Sequence, residues 1–66
     1  MEIIVNGQAR EAAEGITIAD LLAELQLNDK PVAVEVNLQL VAKQRHADHR
    51  LAAGDRLEIV TLVGGG

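Results

Sequence analysis

The sequence has no cysteine, no phenylalanine, no tyrosine, no tryptophan and a single proline in 66 residues. Without cysteine there is no disulfide staple and no thiolate to hold a metal, which suits a reducing compartment. Without aromatics there is no platform for stacked nucleic-acid bases, and a formal net charge of -4 is repelled by a phosphate backbone. Serine is missing too, so no nucleophile of the usual triad sort is on offer. No apolar run approaches the roughly 20 residues of a membrane-spanning helix. The opening Met1-Glu2-Ile3-Ile4-Val5-Asn6 carries an acid where a secretory leader carries a basic flank. The expectation is a cytoplasmic protein, a monomer when alone, that engages neither nucleic acid nor membrane. Its acidic surface favours solubility and basic protein partners.

What is present is 48% apolar, enough for a globular fold. A chain this short makes one domain, burying only about 60% of its unfolded surface. Ile3-Ile4-Val5 reads as a strand. Asn6-Gly7 after it is a hairpin signal, because a type I′ turn needs positive φ at both central positions. A second, polar strand from Gln8 to about Ala12 reads as a sheet edge. Thr17 opens a helix, with Asp20 three residues on as a capping-box partner. Ile18, Leu21, Leu22 and Leu25 form one apolar stripe, the core-facing side. The expected stop is Asn28-Asp29-Lys30-Pro31, since proline cannot continue the ladder.

Val32 to Asn37 alternates, with Val32, Val34 and Val36 facing the helix and Ala33, Glu35 and Asn37 facing out. A turn around residues 37–39 leads to a short strand at Leu40-Val41. Lys43 to Arg50 is polar and irregular, with room for one helical turn, and Leu51 anchors it. Gly54-Asp55 is a second tight turn, and Arg56 to Val63 is the last, central strand. These elements predict an α+β fold in which one helix lies across a mixed five-stranded sheet with some parallel pairing. That is the β-grasp, or ubiquitin-like, arrangement. The domain is expected over residues 1–63, with a flexible glycine tail over 64–66.

In the last strand Leu57 and Ile59 belong to the core, while Val60 and Leu62 are expected on the exposed face as a partner surface beside the tail. The tail Gly64-Gly65-Gly66 offers only a terminal carboxylate, which is an anion at neutral pH and resists nucleophilic attack. To become an acyl donor it must be activated, for instance as a mixed anhydride with AMP, in a site that excludes water. Only a tail without side chains threads a narrow channel and accepts any φ/ψ that the channel imposes. Binding energy would then come from the globular body, through Val60 and Leu62.

The stretch from Val36 to Gly66 resembles the ThiS family of thiamine-pathway sulfur carriers. The matching residues are Val36-Asn37, Leu40-Val41, Leu51, Gly54-Asp55, Leu57-Glu58-Ile59-Val60 and Val63 to Gly66. The Ile-x-Val-Asn-Gly opening and the Thr-opened helix with Leu21-Leu22 match as well, so the resemblance covers the whole chain. It departs in two places: a family proline after the Ile-Val pair is replaced near Ala42 or Lys43, and an aromatic in the polar segment by His46. Both lie away from the tail.

The resemblance implies a protein co-substrate rather than an enzyme, with no catalytic residue of its own. An E1-like adenylyltransferase of the ThiF type would use ATP to adenylate Gly66. A cysteine desulfurase or sulfurtransferase system would convert it to a thiocarboxylate. A thiazole synthase of the ThiG type would then take the sulfur. Gly64 and Gly65 would lie in the partner's channel, and no cofactor would be held permanently. Two other readings share the fold: the small sulfur-carrier subunit of molybdopterin synthase, which tends to be longer and richer in phenylalanine, and a ubiquitin-like modifier or interaction module without sulfur chemistry. His46 and His49, with Asp48 between them, lack a third ligand. They are expected as solvated side chains, and no metal is implied. Glu11, Glu14, Asp20 and Glu24 read as surface charge.

Overall fold

The first hairpin forms as its turn residues dictate. β1 (Glu2–Val5) and β2 (Gln8–Glu11) are joined by Asn6 at φ 50° and Gly7 at φ 82°. A left-handed turn of this kind matches the twist of the strands it joins. The structure is a computed structural model and describes residues 1–62. Thr17 is the N-cap of α1 (Ile18–Glu24), and the capping box is complete. The Thr17 hydroxyl accepts from the Asp20 N–H, and the Asp20 carboxylate accepts from the Thr17 N–H, both at 3.1 Å. Ile18, Leu21 and Leu22 are buried and Leu25 is half-buried, the stripe that the spacing predicts.

The helix stops earlier than the sequence suggests. Its C-cap is Leu25, and Gln26 takes a left-handed conformation at φ 61°. The Leu27 N–H reaches back to the Leu22 carbonyl at 2.8 Å, and the Gln26 N–H to the Ala23 carbonyl at 3.0 Å. Both bonds belong to a Schellman ending, which satisfies orphan carbonyls of the last turn. Residues 28–31 therefore form a connection and not the stop itself.

β3 (Val32–Val36) and β4 (Gln39–Val41) follow, joined by Asn37 and Leu38, both at positive φ. β5 (Arg56–Thr61) ends two residues before the Val63 expected from the sequence, and Val63 lies outside the described residues. The sheet order is β2-β1-β5-β3-β4. β2 is an edge strand and β5 is central, as their compositions predict. β1 and β5 run parallel, while β1–β2, β3–β4 and β3–β5 are antiparallel. Ile3, Ile18, Leu21, Val34 and Leu57 are the most deeply buried side chains, with Leu51 also in the core. At about 1.5–3 kcal/mol for each large buried aliphatic side chain, this cluster outweighs any single cap or turn.

His46 is a correction. The sequence places it in solvent, but the residue is only 6% exposed, with Nε2 3.0 Å from the Val41 carbonyl. A short 3-10 turn at Lys43–Arg45 carries it inward, and its own carbonyl accepts from the Ala19 N–H at 3.0 Å. His49 is half-buried, and its carbonyl accepts from the Ile18 N–H. Among the described residues no group of three His, Cys, Asp or Glu side chains gathers to hold a metal ion. Among the described residues no helix is long and apolar enough to cross a membrane.

Candidate functional site: the open sheet face and the root of the tail

Pairing register decides which side chains share a face. Val34 opposes Ile59 and Val36 opposes Leu57, all four buried on the helix side. Ala33 opposes Val60, and Glu35 opposes Glu58 and Leu40, so these residues lie on the other, open side. Ile4, level with Arg56 across the parallel pair, joins them. Val60 is 56% exposed, and Leu40, two strands away on the outer strand and level with Glu35, is exposed too. The sequence anticipates Val60. It does not anticipate Leu40, because nothing in a three-residue strand reveals which neighbour it will lie against.

The open face is also acidic. Glu35 and Glu58 stand directly opposite each other, an arrangement that costs stability in an isolated sheet. Arg56 is two residues from Glu58 on the same strand, yet it forms no ion pair among the described residues. Exposed apolar side chains at Val60 and Leu40 thus stand on either side of the opposed carboxylates, not against each other.

Leu62 is the last described residue. Its N–H donates to the Pro31 carbonyl at 2.8 Å, tying the end of the strand to the connection before β3. It is exposed, as the sequence predicts, but it does not simply extend the Val60 surface. Leu62 forms part of the wall of a cavity of about 360 Å³ together with Leu22, Leu27, Pro31, Val32 and His46. Val60 is not part of that wall. The root of the tail is therefore flanked by two different surfaces. Gly64, Gly65 and Gly66, the tail residues singled out by the sequence, lie outside the described residues.

At the opposite end of the chain, the Met1 ammonium meets the Glu11 carboxylate at 2.8 Å and the Ala12 carbonyl at 2.8 Å. The hydrogen bond to Glu11 raises the amine above its ordinary value. These contacts hold β1 to β2 and take no part in the tail's chemistry.

A five-stranded mixed sheet crossed by one helix, with exposed apolar residues at the end of its central strand β5, defines a ubiquitin-like domain of the β-grasp class. The model of the ThiS family matches residues 3–66, and the chain belongs to that family. It is 32% identical over 66 residues to the sulfur carrier protein ThiS of Escherichia coli, covering all of both chains. The crystal structure of the thiamine biosynthesis protein ThiS from Geobacter metallireducens superposes with a TM-score of 0.85 at 28% identity, covering all of both chains. A thiazole synthase of Paramagnetospirillum magneticum is 41% identical over 66 residues, and this chain spans only 20% of its length.

Proposed function

We propose that this ThiS-family chain is a cytoplasmic sulfur carrier for the thiazole of thiamine, with the carboxylate of Gly66 as the group that carries sulfur. In the first step a carboxylate oxygen attacks the α-phosphorus of ATP and pyrophosphate leaves, giving an acyl-adenylate. An E1-like adenylyltransferase performs this step, and ATP belongs to that enzyme. The terminal sulfur of a persulfide on a cysteine desulfurase or sulfurtransferase then attacks the acyl carbon and AMP leaves, giving an acyl disulfide with that enzyme. A thiol reductant attacks the enzyme's sulfur in the S–S bond, becomes disulfide-linked to it and releases the Gly66 thiocarboxylate, which gives its sulfur to thiazole synthase. The chain is a co-substrate throughout and supplies no catalytic residue or resident cofactor.

The observation that carries the reading is the end-to-end match to a sulfur carrier protein, glycine tail included. The match to a thiazole synthase favours thiazole over molybdopterin as the client. Gly64 and Gly65 suit a narrow partner channel, because they bring no side chain into it. The apolar, acidic open face at Val60 suits a partner with a basic rim around an apolar centre.

Intact mass is the direct test. Untagged protein incubated with ATP, the activating enzyme and a sulfur source should gain the mass difference between sulfur and oxygen. Deleting Gly66 should abolish the gain and leave the cooperative melting transition in place. An unchanged mass beside a verified active enzyme would overturn the reading in favour of an interaction module.

A further inference from the structure

The cavity beside Leu62 has no part in the chemistry above, and its rim differs in charge from the open face. Lys30 and Lys43 border it, both exposed and both without an ion pair among the described residues. Arg45 and Arg50 follow in the same polar segment, so four basic residues stand against Asp29 and Asp48 in the two segments that frame the cavity. Arg50 is partly committed, donating to the Gly15 carbonyl at 2.9 Å. On a molecule of net charge -4, this is a local concentration of positive charge.

We infer that this cavity docks the protein that delivers sulfur, taking an apolar side chain flanked by carboxylates. The inference rests on the carrier reading and adds a division of surfaces to it. The apolar wall, with Leu22, Leu27, Pro31 and Val32, suits an aliphatic or aromatic anchor. The two lysines select acidic neighbours around that anchor. A basic partner complements Glu35 and Glu58 on the open face, and the same charge is repelled at Lys30 and Lys43. One partner surface cannot suit both.

Position supports the same division. Four residues separate Leu62 from the end of the chain, a reach of at most about 14 Å. A protein seated at the cavity can therefore address the acyl carbon while the activating enzyme holds the open face. Such an arrangement suits carrier chemistry, because the adenylate is prone to hydrolysis and is best kept in the activating enzyme until sulfur arrives.

The test separates the two steps. Lys30→Glu combined with Lys43→Glu reverses the rim, and both positions are exposed, so the melting transition should persist. Activation is read by ATP–pyrophosphate exchange with the E1-like enzyme. Sulfur loading is read by intact mass with the purified desulfurase or sulfurtransferase. The expected result is exchange unchanged and loading slowed about tenfold or more, with the Lys30→Gln, Lys43→Gln pair intermediate. Added salt should slow loading of the parent chain more than that of the reversed variant. Unchanged loading would overturn the inference and leave the carrier reading standing. An equal fall in both steps would also overturn it, assigning the cavity to the activating enzyme or to the chain's own tail. If the parent chain supports neither exchange nor loading, the carrier reading fails first, and the inference fails with it.

Discussion

Asn6 works both as a turn residue and as a rung of the sheet. Its left-handed backbone starts the first turn, and its side chain crosses to the central strand. Oδ1 accepts from the Ile59 N–H at 2.8 Å and Nδ2 donates to the Ile59 carbonyl at 3.2 Å. The parallel ladder between β1 and β5 has only two paired positions, and the amide continues it where β1 turns away. Asn6→Gly separates the two roles. Glycine keeps the turn, and the left-handed strain it relieves largely offsets its extra unfolded-state entropy, so the loss mainly reports the side-chain bonds. Two broken bonds, leaving Ile59 peptide groups unpaired, should cost about 1–3 kcal/mol in urea unfolding. Unchanged stability would show that water replaces the amide without loss.

At the scale of elements, the short helix depends on its ends. Seven residues are too few for a helix to persist alone, so capping and burial hold it. The N-terminal box follows from Thr17 and Asp20. The C-terminal ending places Gln26 where glycine is usual, at φ 61°. A left-handed non-glycine residue costs about 1–2 kcal/mol, and glycine forfeits about 0.5–1 kcal/mol through unfolded-state entropy. Gln26→Gly should therefore stabilise the fold by some tenths to about 1 kcal/mol, seen as a raised melting midpoint. A lowered midpoint would mean that the glutamine side chain makes a contribution that this strain argument omits.

For the whole molecule, the sheet is a divider. Its helix side is the core, and its open side, proposed above to meet partners, carries Val60, Leu40 and the opposed Glu35 and Glu58. Val60→Asp should leave melting nearly unchanged, because the side chain is 56% exposed. It should weaken binding to both the activating enzyme and thiazole synthase by about tenfold or more, since both must reach the same tail. Calorimetric titration against each partner checks this. Undiminished affinity for both would remove the open face from the interface.

The sequence by itself determined much of this protein. The Asn6-Gly7 turn, the Thr17-Asp20 cap, the Ile18-Leu21-Leu22 stripe and the alternation of β3 and β5 are local signals, each set by short-range sterics or a single periodicity. They were enough for the order of elements, for the fold class and for the exposure of Val60 and Leu62. The glycine tail, a covalent feature, was legible without any fold. Tertiary structure decided whatever depends on which elements become neighbours. It buried His46 in a segment whose polarity suggested solvent, because the 3-10 turn brings the ring to the Val41 carbonyl. It set Glu35 against Glu58, and it placed Leu62 in a cavity wall with Leu22 and Pro31. Those pairings join residues far apart in the chain, and no local propensity encodes the register that brings them together.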